Sequence, residues 1–351
     1  MPAERGRARV LIAGATGYVG RLLALRLAEQ APGSAAGGGN AGATGGRGTR
    51  AKPPRCLARN PERAADLAAA GCEVVTGDVL EPETLAPALA GVETAYYLVH
   101  SMGRGSEGDF AALDRRAADN FAAAAAEAGV RRIIYLGGLG EGGSAHLRSR
   151  ADTAEHLAAA GVPVIHLRAA VIIGAGSASF RTIYHLIRRL PVMVTPRWTD
   201  VRTQPIAIAD VIEYLIAAAE LPDVAGAGPL TGGPPAAGES APARTIEIGG
   251  PDVTTYGGLM DALSDALGRR RAVRISVPLL TPWLSSLWIG LVTPVDPGVA
   301  RPLIEGLSTE TVVRDPSGMA RFTIRPRPLE QAMDEAVATL RAEEQSAETP
   351  A

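Results

Sequence analysis

The sequence predicts an α/β fold, a doubly wound parallel sheet with a smaller C-terminal lobe. Three observations predict it. Apolar strand-like runs alternate with helical patterns through the first half of the chain, the arrangement that builds a parallel sheet with helices on both faces. The first run, Val10 to Ala13, passes straight into a glycine-spaced turn, Gly14 to Gly20, and then into a helical pattern. The length of 351 residues is too great for one minimal domain and suits a large domain with an appendage.

Taken in order, the first helix runs from Arg21 to Gln30. Ala31 to Pro54 is rich in Gly, Ala and Ser, cannot bury a core, and is expected to be a disordered surface insertion. A second strand is expected at Arg55 to Ala58. The next helix, Pro61 to Ala70, starts with Asn60 as its cap and Pro61 in the first position, where a missing N–H does no harm. A third strand, Glu73 to Thr76, turns at Gly77 and Asp78, and a fourth spans Thr94 to Val99. A long alanine-rich helix, Asp109 to Ala128, stops at Gly129. The fifth strand, Arg132 to Leu136, leads into the glycine-rich Gly137 to Gly143. A helix from Ser149 to Ala160 stops at Gly161, and the sixth strand is Val164 to Leu167.

Beyond residue 174 the pattern loosens. A helix at Ser179 to Leu190 leads into Pro191 to Thr203, a loop with several arginines. Asp210 to Glu220 reads as a helix and Val224 to Pro242 as a second mobile linker. Thr245 to Ile248 is a strand, and Thr254 to Leu267 a helix stopped by Gly268. The tail after Glu343 is expected to fray. The chain thus divides into a sheet domain of residues 7–175 with 204–222 and 244–250, and a substrate lobe of 176–203 and 251–340. Residues 31–54 and 224–242 are the disordered insertions.

A strand, a glycine-rich turn and a helix in succession make a Rossmann-type cradle for a dinucleotide pyrophosphate. Gly14 permits the tight turn, Gly17 lets phosphate approach the backbone, and Gly20 lets helix and strand pack closely. The N–H groups at the helix start then face the anion. Gly14, Ala15, Thr16, Gly17, Tyr18, Val19 and Gly20 are therefore the first cofactor-binding candidates, in a GxxGxxG spacing. The alternative is a purely structural glycine turn.

A net charge of −2 gives no electrostatic case for nucleic acid or an anionic membrane. Basic residues are almost all arginine, with Lys52 the single lysine, which reads as genomic composition bias. Cys56 and Cys72 lack metal-ligand spacing and are read as free thiols in a reducing cytosol; the first hydrophobic run is the first strand rather than a signal segment. The expectation is a cytoplasmic protein without a metal. Ile275 to Val295 carries no charge and contains Trp283 and Trp288. Pro278, Pro282 and Pro294 leave about 11 residues of helix where a membrane span needs about 20. This stretch is either a buried helix or pocket wall, or a contact with a membrane surface or a protein partner.

These motifs together resemble the atypical short-chain dehydrogenases/reductases over about residues 8 to 270. The resemblance rests on Gly14 to Gly20, Leu57-Ala-Arg-Asn60, Gly77-Asp78-Val79 and Ala128-Gly-Val-Arg-Arg-Ile-Ile-Tyr135, with Val171-Ile-Ile-Gly174 and Gln204-Pro-Ile-Ala-Ile-Ala-Asp210. It points to bacterial NAD(P)H-binding proteins of the epimerase/dehydratase-like kind, with NmrA-like proteins near by. Arg59 follows the second strand, where NAD sites usually place an acid on the ribose; a guanidinium there suits the 2′-phosphate of NADP(H), which is preferred over NAD(H). A solvated surface arginine is the alternative. The resemblance places Asp78 and Val79 by the adenine, where Asp78 is either an acceptor for the amino group or a turn aspartate.

The chain departs from the family at the catalytic pair. Where the family has YxxxK, this chain has His146-Leu-Arg-Ser-Arg150, so His146 takes the Tyr position and Arg150 the Lys position. Gly137 and Gly138 stand where a hydroxyl is expected, and Asp114 stands where extended members carry Asn. His146 titrates near neutrality and needs no lysine to be competent as acid/base. Arg150 would bind ribose hydroxyls and favour neutral His146. The alternative is a surface histidine, an arginine that only grips cofactor, and a solvated Asp114. His100 and Ser101 end the fourth strand as neighbours of the nicotinamide ribose, His100 being the cofactor candidate. His156 and His185 read as helix residues and His166 as a satisfied core histidine. The turn Gly174 to Phe180 is read as flexible and substrate-facing. Phe180, Met193 and Trp198 would line an apolar pocket, and Arg197 and Arg202 would meet an anion, with lobe packing as the alternative.

Three functions compete. The first is an NADP(H)-dependent oxidoreductase on an apolar carbonyl or quinone-like compound. The second is a non-catalytic NADP(H)-binding redox sensor or structural module, which the missing Tyr, Lys and Ser favour. A sugar-nucleotide epimerase ranks lowest, because those enzymes need the intact pair.

Overall fold

The computed structural model describes residues 9–31, 52–99, 110–140, 145–195, 197–222, 244–276 and 308–348. Its centre is a seven-stranded sheet of β1 (Arg9–Ala13), β2 (Arg55–Ala58), β3 (Glu73–Thr76), β4 (Val92–Tyr97), β5 (Arg132–Gly138), β6 (Val164–Ala169) and β11 (Arg244–Ile248). The order is β3-β2-β1-β4-β5-β6-β11 and every pairing is parallel. The sequence direction reverses between β1 and β4, which opens a crevice at their carboxyl ends.

Alternation along each strand divides the core between two faces. Ile12, Tyr96, Ile134 and Ile165 pack on one face with Leu23 and Ala24 of α1 (Tyr18–Glu29) and with Val211 and Leu215 of α7 (Ile208–Glu220). Leu11, Tyr97, Ile133 and Tyr135 pack on the other with Phe121 of α4 (Phe110–Glu127) and Leu157 of α5 (Ala145–Ala158). Two buried arginines hold helix ends. Arg132 Nη1 donates to the carbonyls of Ala218, Ala219 and Leu221 at 3.2, 2.9 and 2.7 Å, at the negative end of α7. Arg55 does the same for Ala88 and Ala90 after α3 (Leu85–Leu89). Composition therefore conceals structural work by particular arginines.

The local stop signals hold. Asn60 Oδ1 accepts the Glu62 N–H at 2.9 Å, starting a 3₁₀ turn, Pro61–Ala64, that runs into α2 (Ala65–Ala69). Gly129, Gly161 and Gly268 end helices with φ of +72°, +82° and +67°. Several boundaries differ from expectation. β4 ends at Tyr97 rather than Val99, β5 continues through Gly138, and α5 begins at Ala145 rather than Ser149.

The C-terminal lobe packs α6 (Ala178–Arg189), α8 (Tyr256–Ala266) and α9 (Leu329–Glu348) around Phe180, Leu259, Leu263, Met333 and Val337. Short strands tie it down: β7 (Ile172–Ile173) on β10 (Ile206–Ala207), β9 (Arg202–Thr203) on β12 (Thr254–Thr255), and β8 (Val192–Thr195) on β13 (Val273–Ser276). The expected loop Pro191–Thr203 is thus two short strands around a 3₁₀ turn, because its backbone groups find partners far along the chain. The expected frayed tail is helical to Glu348, with Tyr184 and Arg188 bonded to Glu344 at 2.9 and 2.8 Å. Among the described residues no helix is long and apolar enough to cross a membrane. Trp283, Trp288 and most of 275–295 lie outside the described residues, as do 32–51 and 224–242 of the expected insertions; Pro54, placed at the end of the first insertion, is buried and accepts the Glu73 N–H.

Candidate functional site

The crevice beyond β1 and β4 is a cleft of about 530 Å³. The glycine turn forms its floor. Gly14 has a φ of +90°, and a Cβ there would lie 2.5 Å from the Leu98 carbonyl oxygen. At Gly20 a Cβ would lie 2.2 Å from the Gly14 oxygen. Both glycines answer to the protein's own packing. Gly17 does not: its φ of −80° suits any residue, and a Cβ would meet only the Gly14 oxygen, at 3.3 Å. Its open side is the cleft, where a ligand needs the space. Gly17 N–H donates to Gly14 O at 3.0 Å, so the N–H groups left for an anion at the start of α1 are those of Tyr18, Val19 and Gly20. The cap is Gly17, which has no side chain to occupy these N–H groups, and no acid sits in the first turn. This donor set, with the helix dipole behind it, fits a pyrophosphate. Thr16, Tyr18, Val19 and Gly20 line the cleft, whereas Ala15 is fully buried and points into the core, a correction to its place among the cofactor contacts.

At one end stand Arg59, Asp78 and Val79. Asp78 is held by its own turn: Oδ1 accepts Leu80 N–H and its N–H donates to Thr84 Oγ1, both at 3.0 Å. Its Oδ2 is 3.9 Å from Arg59 Nε. An acid therefore does stand beside the arginine, supplied by the end of β3 rather than β2.

The other end is walled by Leu136 to Leu139, Ala169 to Ile172 and Arg150. Arg150 reaches from α5 and donates through Nη2 to the Leu136 carbonyl at 2.6 Å, while its buried Nε has no partner among the described residues. The backbone of His146 lies in the first turn of α5, one turn before Arg150; its side chain lies outside the described residues, as do His100 and Ser101. Asp114 does not line the cleft. It meets α5 from α4, where Ser149 Oγ donates to its Oδ2 at 3.5 Å. His166 stacks on Tyr135 and is 4% exposed, but its Nε2 has no partner among the described residues, so it is not the satisfied core histidine expected. Burial, then Arg168 and Arg150, push it down to about 3. It also explains the missing hydroxyl: a Cβ at Gly137 would lie 2.1 Å from His166 Nε2. His156 bonds to Asp119 at 2.7 Å, and among the described residues no acid, His and Cys cluster could hold a metal.

The family described as NAD(P)H-binding matches residues 42–173, which hold both ends of this cleft. That stretch is thus similar to NAD(P)H-binding domains. Solved structures share its fold over nearly the whole length. Triphenylmethane reductase from Citrobacter sp., complexed with NADP(H), is 20% identical with a TM-score of 0.65, covering 93% of this chain and 99% of its own. The NADPH-dependent quinone oxidoreductase of Escherichia coli, complexed with NADPH, is 18% identical with a TM-score of 0.61 over 92% and 98%. A nucleoside-diphosphate-sugar epimerase from Staphylococcus aureus is 15% identical with a TM-score of 0.64 over 93% and 100%. At these identities the likeness is one of fold. No curated protein matches the chain by sequence.

The C-terminal lobe also reaches the cleft, through Gly176 to Ser179, Tyr256 and Thr311. The turn Gly174 to Ser177 is not slack. A Cβ at Gly174 or Gly176 would lie 2.4 Å from the Tyr18 hydroxyl or 2.2 Å from its ring, and Gly176 N–H donates to that hydroxyl. Phe180 and Met193 belong to the lobe core rather than the cleft wall, because α6 turns its apolar stripe toward α8 and α9. Arg202 pairs with Glu310 at 3.0 Å instead of waiting for an anion; the side chains of Arg197 and Trp198 lie outside the described residues. Tyr256 and Thr311 carry no motif, and their only sequence signal is a hydroxyl at the edge of a short strand.

Proposed function

We propose that the chain is an NADP(H)-dependent oxidoreductase acting on an apolar carbonyl or quinone-like substrate. The observation that carries the reading is a cleft with Arg59 at one end and a largely apolar, glycine-walled opposite end that Arg150 borders. Arg59 supports NADP(H): it is half exposed and 3.9 Å from its nearest carboxylate, a separation at which a phosphate dianion competes well. Two structural neighbours are named for a triphenylmethane dye and a quinone, both conjugated ring compounds, which supports a reducible ring substrate at this end.

When bound, NADPH supplies the hydride. Tyr18, Val19 and Gly20 hold the pyrophosphate through their N–H groups. Asp78 and Val79 flank the adenine. Arg150 would hold the nicotinamide end as a permanent cation, and His146, one turn earlier on the helix, would be the acid/base. Asp114 acts at one remove, by holding Ser149 on the same helix.

Titration of NADPH and NADH tests the cofactor reading. Arg59→Ala is expected to weaken NADPH about 10-fold and leave NADH unchanged. Gly17→Ala should weaken both while the melting temperature stays. Equal NADPH and NADH affinities, both indifferent to Arg59→Ala, overturn the NADP(H) reading. NADPH consumption across carbonyls and quinones tests the activity, and undiminished turnover in His146→Ala removes its acid/base role. One observation favours a second reading, a non-catalytic NADP(H)-binding module: the Arg150 guanidinium is engaged by the Leu136 carbonyl. Tight NADPH binding with no consumption of it selects that reading.

A further inference from the structure

Arg168 stands near the carboxyl end of β6, with its side chain largely buried. Arg132 and Arg55 hold helix ends, but Arg168 holds the glycine-walled end of the cleft. Its Nε donates to the Gly138 carbonyl at 3.1 Å and its Nη2 to the Gly140 carbonyl at 2.5 Å. Gly138 lines the cleft, whereas Arg168 itself does not. The remaining nitrogen, Nη1, lies 3.6 Å from Oε1 of Glu247, its neighbour across the ladder on β11. Glu247 is also largely buried, and its Oε2 accepts the N–H groups of Arg314 and Asp315 at 2.6 and 3.2 Å. These two residues follow closely on Thr311, which lines the cleft from the lobe.

The wall needs such a fastening. Gly137 and Gly138 have no side chains to pack, and Gly140 has a φ of +118°, so hydrogen bonds must set the path of this segment. Leu139 N–H donates to the Ala169 carbonyl at 2.8 Å. Arg150 Nη2 takes the Leu136 carbonyl at 2.6 Å. Alternate carbonyls along the wall, those of Leu136, Gly138 and Gly140, are therefore all held by guanidinium groups. A guanidinium suits the task because its donors form a rigid planar fork, so that one group reaches two carbonyls and a carboxylate at once. An ammonium is a point charge on a flexible stem and cannot reproduce that fork.

We propose that Arg168, held in turn by Glu247, is a positioning residue that fixes the glycine wall on which the nicotinamide half of the cofactor rests. It acts through Gly138 and Gly140, and Glu247 ties the same wall to the lobe segment that follows Thr311. The inference rests on the reading of the cleft as a dinucleotide site, in which the adenosine half is held elsewhere, by the glycine turn and Arg59.

The test is calorimetric titration of the full chain with NADP⁺ and with adenosine 2′,5′-bisphosphate, which ends at the first phosphate and has no nicotinamide half. Wild type is expected to bind both. Arg168→Met should weaken NADP⁺ about 10-fold and leave the bisphosphate unchanged, a split that a general loss of folding would not produce. Arg168→Lys keeps a charge beside Glu247, which guards against a variant that merely fails to fold, and it too should weaken NADP⁺ alone. Wild type that binds neither ligand overturns the cofactor reading and the positioning role with it. NADP⁺ affinity unchanged in both variants, equal loss of both ligands in Arg168→Lys, or a wild type that binds NADP⁺ but not the bisphosphate overturns the positioning role alone.

Discussion

His166 is the residue whose chemistry is most changed by its surroundings. It stacks on Tyr135 at 5.0 Å between ring centres, against Gly137, with Nε2 unpartnered among the described residues. Burial and two nearby arginines lower its pKa from 6.5 to about 3. Above pH 6.5 the imidazole is neutral in both folded and unfolded chains. As pH falls below that value the unfolded chain takes up a proton that the folded chain refuses until about pH 3, so stability is lost across that window. The slope from this group is at most about 1.4 kcal/mol per pH unit. His166→Leu should flatten the fall while leaving stability at pH 7 within about 1 kcal/mol of wild type, because it replaces an unsatisfied polar atom with an apolar one. Urea unfolding of both proteins at pH 7, 6, 5 and 4 checks it; parallel curves would show that His166 takes its proton equally well when folded.

At the scale of elements, the start of α1 and the turn before α6 are one unit, joined by Tyr18. The turn keeps glycine at 174 and 176 because the tyrosine occupies the space of their side chains. Gly176→Ala should therefore cost about 1–3 kcal/mol by overpacking, and much less in a Tyr18→Ala background, where the ring is gone. Equal costs in the two backgrounds, read from thermal melts, would mean that the backbone and not the ring sets the requirement. Much of this architecture was legible beforehand. The stops at Gly129, Gly161 and Gly268, the Asn60 cap and the Gly14 to Gly20 turn are local steric devices, readable wherever they stand. β7, β9, β10 and β12 were not legible, since each is two residues long and exists only through a distant partner. The same reason hid Tyr256 and Thr311, whose meeting depends on Thr203, 108 residues from Thr311 along the chain. The apolar stripe of α9, Met333 with Val337 and Leu340, is a different case: its helical spacing stands in the sequence, yet the helix was not among those expected.

For the whole molecule, the joint between sheet and lobe is Asp210. It is fully buried at the start of α7, in the segment Gln204 to Asp210 that resembles the family motif. Its Oδ2 accepts the backbone N–H of Arg327 at 2.7 Å and its Oδ1 meets the Arg327 guanidinium, which also reaches Glu335 of α9 at 3.3 Å. Burial pushes the Asp210 carboxyl up, and the Arg327 contacts oppose that push. One carboxylate thus fastens the helix behind β5 and β6 to the last helix of the lobe, which in turn seats α8 and Tyr256. Asp210→Ala removes the buried acceptor of the Arg327 N–H and guanidinium and is expected to cost about 1–3 kcal/mol, because Glu213 and Glu335 still face the guanidinium. Asp210→Asn keeps an acceptor for the Arg327 N–H and should cost less. Once Asp210 is gone, adding Arg327→Ala should cost less than it does alone, since the contacts with Asp210 are already lost and only those with Glu213 and Glu335 remain. Urea unfolding of the two single variants and the double variant measures the coupling. Additive costs would mean that the pair is incidental and that the apolar contacts of α9 alone hold the lobe to the sheet.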